Sequence, residues 1–117
     1  MPRYHLLVLT NPTEGREAEY NDWYTNQHLD DVLRVPGVIG AQRFQRTEVQ
    51  RDAGPYPWKY LAVYECDAND VTSVIDGLRS RSGTPDMPIS SALDGARFVC
   101  FFEPITDMKC RPAGSAG

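Results

Sequence analysis

The sequence predicts one α+β domain with elements in the order β-α-β-β-α-β, on three observations. Four short runs, Tyr4–Thr10, Val38–Thr47, Trp58–Cys66 and Ala96–Glu103, are rich in strand formers. Two stretches, Glu14–Leu33 and Val71–Arg81, repeat apolar residues at helical spacing. The segments between them are rich in Asn, Pro, Gly, Ser and Asp, which turn the chain. A chain of 117 residues with 41% hydrophobic and 24% charged residues suits one domain that folds around its own core. Residues 1–104 are expected to form it, and residues 105–117 an irregular tail with a mobile Pro-Ala-Gly-Ser-Ala-Gly end.

In the first strand, Tyr4, Leu6 and Val8 alternate with His5, Leu7 and Leu9, so both faces carry apolar groups. Asn11-Pro12-Thr13 turn the chain, with Thr13 as the expected N-cap of a helix running from Glu14 to Leu33. Val35-Pro36-Gly37 stop that helix. Glu14, Glu17 and Glu19 lie at its dipole-positive end and Arg34 at the other. At about 100° per residue, Ala18, Thr25, Leu29, Val32 and Leu33 gather on a face expected to rest on a sheet, with Asp22 interrupting it. Tyr20, Tyr24, His28 and Asp31 make an adjoining stripe, each member three or four residues from the next. His28 thus stands at the border of the core, where a pocket between helix and sheet opens.

Glu48–Pro57 is a polar connection, and the strand after it is the expected hairpin partner of the second. The second helix carries Val71, Val74, Ile75 and Leu78 at helical spacing, with Asp67 or Asn69 as cap and Arg79 and Arg81 in its last turn. Ser82–Asp94 is long enough for a lid or a cover over a sheet edge. The element order is the ferredoxin-like pattern. Helices on one side leave the other sheet face to be covered, and a second copy of the same sheet gives a C₂ homodimer.

A formal charge of −4 and a pI near 5.0 argue against nucleic-acid binding. Arg43, Arg46 and Arg51 are interrupted by Glu48 and Asp52 and read as a solvated strand end. Cys66, Cys100 and Cys110 have neither the spacing of a metal site nor that of a disulfide framework; Cys66 and Cys100 fall in strands as reduced thiols. With no signal-type segment and no membrane-spanning apolar run, a cytoplasmic protein is expected. No phosphate loop, nucleotide fingerprint or metal set is present in the sequence, so no cofactor is expected.

Tyr20-x-x-Trp23-Tyr24-x-x-x-His28-x-x-Asp31, followed by Val35-Pro36-Gly37 and a strand, resembles the EthD-like family of the dimeric α+β-barrel superfamily. Asp30 departs from the pattern, because many relatives carry proline after the histidine. The resemblance implies a ferredoxin-like protomer whose sheet packs on its partner's to form a barrel, with a pocket between each sheet and its own helices. Members include polyketide cyclases, fungal pigment-pathway dehydratases and proteins linked to ether or aromatic catabolism. Muconolactone isomerases and cofactor-free monooxygenases share related folds.

His28 can take or give a proton near neutral pH. Asp31, one turn on, can hold its ring or keep it protonated, and Tyr24, one turn back, can orient a substrate oxygen. That set suits proton abstraction next to a carbonyl, with His28, Tyr24 and Asp31 as catalytic residues. Asn21, Phe44, Tyr64 and Trp23 are candidates for binding the substrate, although the helical wheel turns Trp23 towards loop or dimer packing. Tyr60, His5 and Asp22 could also reach the pocket or serve the core and loops. The expected function is a small cofactor-independent lyase, cyclase or isomerase acting on an aromatic, polyketide or lactone-like metabolite. A non-catalytic binder of an apolar small molecule and a cofactor-free monooxygenase are the alternatives.

Overall fold

In the computed structural model, which describes residues 3–114, the chain runs β1 (Arg3–Pro12), α1 (Glu17–Trp23), a π-helical turn (Tyr24–His28), α2 (Leu29–Leu33), β2 (Val38–Gln45), β3 (Tyr60–Asp67), α3 (Val71–Arg81) and β4 (Leu93–Phe102). The strands form one antiparallel sheet in the order β2-β3-β1-β4. This is the α+β, ferredoxin-like arrangement expected from the element order. Residues 105–114 carry no helix or strand, and the last residues of the expected mobile end, Ser115–Gly117, lie outside the described residues.

Residues opposite one another in a ladder share a face of the sheet. Leu6 pairs with Tyr64 and Phe101, Val8 with Ala62 and Val99, and Thr10 with Tyr60 and Arg97. This face meets the helices, and Leu6, Tyr60, Ala62, Tyr64 and Cys66 are buried there with Tyr20, Trp23, Tyr24, Val32 and Val35. His5, Leu7 and Leu9, paired with Glu65, Val63 and Leu61 and with Phe102, Cys100 and Phe98, face the opposite way.

The long helix departs from its expected form in three respects. It begins at Glu17, because Thr13 is engaged elsewhere: its hydroxyl donates to the Ser91 carbonyl at 2.9 Å and its N–H to the Ala92 carbonyl at 2.6 Å. Thr13 therefore pins the turn to the loop before β4, and Arg16 occupies the N-cap without a side-chain capping bond. The helix also widens in the middle, where the Leu29 N–H bonds to the Tyr24 carbonyl, five residues back. That extra residue rotates the buried face. Tyr20, Trp23 and Tyr24 are buried, whereas Ala18, Thr25 and Leu33 are exposed. Asp22, which interrupted the apolar face of a regular wheel, is exposed and accepts a bond from Asn26 Nδ2 at 2.8 Å.

α3 is capped by Asp70, whose carboxylate accepts from the Thr72 N–H at 2.9 Å, in place of Asp67 or Asn69. At its other end Arg81 donates to the Gly77 carbonyl, the cation-at-C-terminus role expected of that turn. The helix lies close to the end of α2: a Cβ on Gly77 would stand 2.8 Å from Val35 Cγ1, and Val35 is fully buried. In an open helix Gly→Ala stabilises by about 1 kcal/mol. Gly77→Ala is expected to do the reverse, lowering stability by about 1–3 kcal/mol through overpacking against Val35. Denaturant unfolding decides the sign, and a stabilised variant would show that α3 moves off Val35 freely.

Candidate functional site

Between the π-helical turn, α3 and the helix-facing side of the sheet lies a cavity of about 430 Å³. A volume of that size suits a small organic ligand. Trp23, Tyr24 and His28 enter from the helix, Tyr64 and Phe101 from the sheet, and Ile75 and Leu78 from α3. The loop after α3 supplies Met87 and Ile89. It is fastened by the Trp23 indole N–H, which donates to the Pro88 carbonyl at 3.2 Å, and by Thr13. The segment expected as a lid or a cover over a sheet edge is therefore a wall of the pocket.

His28 is held by rings rather than by hydrogen bonds. Trp23 stacks on it at 4.6 Å with a 29° interplanar angle, and Tyr24 meets it edge-on at 5.0 Å. Its Nδ1 is buried without a partner. Burial among these rings disfavours the imidazolium and lowers its pKa from 6.5 to about 4, against a weaker upward pull from the Asp31 charge. The ring is therefore neutral at pH 7.

Asp31 does not hold that ring. It is buried, but its Oδ1 accepts from Arg34, one turn further along α2, and its Oδ2 has no partner. The expectation that Asp31 orients His28 or keeps it protonated is corrected on both counts, since Arg34 claims the carboxylate and desolvation outweighs its field.

Tyr24 and Tyr64 bring their hydroxyls within 3.5 Å of one another, with Tyr64 donating. Burial pushes Tyr24 up to about 12 and Tyr64 well above the usual phenol range. Both remain protonated, and the Tyr24 O–H is free to donate to a ligand oxygen. Above this pair sits Arg43, its guanidinium 4.6 Å from the Tyr24 ring centre, 5.3 Å from Tyr20 and 5.2 Å from Tyr60. It donates to Asn21 Oδ1 at 3.0 Å and Thr25 Oγ1 at 2.9 Å.

The structure thus gathers His28, Tyr24, Tyr64 and Trp23 around one cavity. Asn21 stands outside its lining, donating to the Tyr60 hydroxyl at 3.1 Å and receiving Arg43, so it braces the aromatic cluster. Phe44 pairs with Leu61 on the opposite sheet face and is 42% exposed, which removes it from the pocket. His5 lies on that same outer face, and Tyr60 bonds Glu17 instead of lining the cavity.

No family model matches the chain. Over 61 residues it is 38% identical to core atranone cluster (CAC) protein 1 of Stachybotrys chlorohalonatus, a match spanning 50% of this chain and 24% of that protein. Among solved structures, an EthD-like protein from Ralstonia eutropha JMP134 superposes with a TM-score of 0.69 at 14% identity, covering 95% of this chain and 99% of that one. An ethyl tert-butyl ether D (EthD) family protein from Bacillus halodurans C-125 gives 0.58 at 16% identity, covering 90% and 100%. The chain has the EthD-like fold.

In this EthD-like fold the residues that sequence reasoning missed are cations. Arg43 was expected in a solvated strand end, yet it is half-buried over three tyrosines. Strand alternation carried the signal, since Ala41 and Arg43 pair with Tyr64 and Ala62 on the helix-facing side. Arg79 and Arg97 also line the cavity.

A histidine buried in its neutral form binds fewer protons folded than unfolded. With the folded pKa near 4 against 6.5, the stability associated with neutral His28 is complete above pH 6.5 and lost as pH falls through 4. The difference amounts to about 3 kcal/mol at most. His28→Gln should flatten this limb, so the wild-type-minus-variant stability difference should grow between pH 4 and pH 6.5. Parallel curves from urea unfolding across that range would refute the burial of a neutral ring.

Proposed function

We propose that this chain is a small proton-transfer enzyme acting on an aromatic or polyketide-like metabolite, with neutral His28 as general base. The observation that carries the reading is a neutral imidazole, free of hydrogen-bonded partners among the described residues, that lines an aromatic cavity between Trp23 and Tyr24. An uncharged imidazole can accept a proton from carbon next to a carbonyl. The Tyr24 hydroxyl, held protonated by burial, donates to the oxygen on which charge develops. The imidazolium that results faces the Trp23 ring, which favours a cation. Aldol cyclisation, dehydration and lactone isomerisation can each begin with such a step. The likeness to a protein named for an atranone cluster supports a metabolite as substrate.

Deuterium wash-in tests this without a known product. A panel of aryl ketones and lactones in D₂O is followed by NMR for exchange of the protons next to the carbonyl. His28→Gln is expected to reduce exchange by about 10²–10⁴-fold. The profile of kcat/KM should rise near pH 4, where the free enzyme's His28 loses its proton, and stay level through neutrality. Exchange at the solvent background rate in wild type and variant alike would leave the cavity as a binding site only.

We also propose that the outer sheet face is covered by a second copy of the chain. Phe44, Phe98 and Phe102 are 42%, 48% and 53% exposed there, beside Leu7, Leu9, Leu61 and Val63. An apolar sheet face of this kind calls for a partner surface. Light scattering should give twice the mass of the chain at micromolar concentration, and Phe98→Asp should halve it. A monodisperse wild-type monomer overturns the pairing.

A further inference from the structure

Proton transfer at His28 leaves two cavity-lining side chains without a task. Arg79 comes from the last turn of α3 and Arg97 from β4, so they approach the same space from different walls. Both are exposed, which places them where the cavity meets solvent. Arg97 stands opposite Thr10 in the ladder, on the helix-facing side of the sheet.

Their electrostatic situation differs from that of the chain's other arginines. Arg3, Arg16, Arg34 and Arg51 each hold a carboxylate. Arg43, Arg46 and Arg81 donate to side-chain or backbone oxygens. Among the described residues neither Arg79 nor Arg97 has a hydrogen bond or an ion pair. Carboxylates are not scarce, since the chain has 16 acidic residues against 12 basic. Yet no aspartate or glutamate lines the cavity. Its fixed charge is wholly positive, in a protein whose net charge is −4.

We propose that the ligand is an aromatic carboxylate, its ring held among Trp23, Tyr24 and Phe101 and its ionised acid group at the mouth between Arg79 and Arg97. The planar guanidinium fork matches a carboxylate with two parallel hydrogen bonds. Two such groups from separate elements fix where the acid end sits, and therefore which ring atom reaches His28. Ser82, at the end of α3, adds a hydroxyl on the same lining. A positive mouth on an acidic protein also draws anions selectively towards this opening. The inference rests on the cavity being a metabolite site and adds the charge of the metabolite.

The test compares 2-naphthoate with its neutral isostere 2-naphthamide near neutral pH, by calorimetry, with the Trp23 indole N–H resonance reporting where each binds. Naphthoate is expected to bind at least about tenfold more tightly than the amide. Arg79→Gln and Arg97→Gln should each reduce that preference, and the double variant should erase it, bringing naphthoate down to the affinity of the amide. A Trp23 indole N–H resonance at its wild-type position in the ligand-free variants certifies that they fold. Equal binding of acid and amide by the wild type overturns the anion site and leaves the metabolite cavity standing. A preference that survives in the double variant overturns the assignment to these arginines. If neither compound binds or moves the Trp23 resonance, the cavity reading falls and this proposal with it.

Discussion

Tyr20, Trp23 and Tyr24 put three large rings on one side of a short helical segment, and all of them are buried. Finding room for those rings against a sheet is the constraint on which the rest of the structure depends. β3 presents Tyr60, Ala62 and Tyr64 to them, and the small middle residue leaves the gap that large neighbours need. Tyr20 meets Tyr60 at 5.1 Å and Tyr24 at 5.6 Å, the latter edge-on. Their polar tips are also placed. The Tyr20 hydroxyl bonds Thr10 Oγ1 at 2.5 Å in the core, and the Tyr60 hydroxyl donates to Glu17. Buried phenols left without partners would be destabilising.

The cavity follows from this packing. A regular helix cannot keep Tyr20, Tyr24, His28 and Val32 on one side for three turns, because spacings of four run ahead of 3.6 residues per turn. The widened turn at Tyr24–His28 absorbs that drift. It sets His28 beside the same sheet face as the tyrosines, against Trp23. α3 approaches the end of α2 closely at Gly77, yet its only fully buried side chain is Val74; Ile75 and Leu78 face the open space. The void is bounded by closely approaching elements, with α2 and α3 in contact at Gly77 and Val35.

The strand and helix order, the four strand cores and the placement of His28 and Tyr24 at a pocket were all legible in the sequence, because alternation and helical spacing are local signals. What was not legible depends on contacts between distant segments. Thr13 looks like a cap until Ser91 and Ala92 arrive beside it. Asp31 looks like the partner of His28 until Arg34 is found on its oxygen. Phe44 reads from the sequence as a pocket or core aromatic, but its ladder partner Leu61 fixes it on the outer face. The π-helical turn leaves no mark in composition, and a wheel drawn at 3.6 residues per turn turns the wrong residues inward. Arg43 shows the reverse case: its alternation was readable, and the neighbouring charges obscured it.

The electrostatics of the site divide into two zones that do different work. Deep in the cavity the titrating groups are uncharged, since burial keeps His28 neutral and Tyr24 protonated. A neutral base in a desolvated site makes no demand on a charged partner before reaction. It explains why Asp31 can be committed to Arg34 rather than to the imidazole. Once His28 takes a proton the balance changes: the Trp23 ring lies 4.6 Å from it, and the Asp31 charge already favours the imidazolium. Asp31 thus acts on the proposed chemistry through its field, while Arg34 keeps the carboxylate in place. The fixed charge of the lining, at Arg79 and Arg97, stands where solvent can reach it. Had a guanidinium stood beside His28 instead, its repulsion would lower the basicity of the ring still further and oppose the proton transfer. The proposed anion site and the proposed base thus draw on different groups of one lining, exposed guanidiniums for the charge and a desolvated neutral imidazole for the proton.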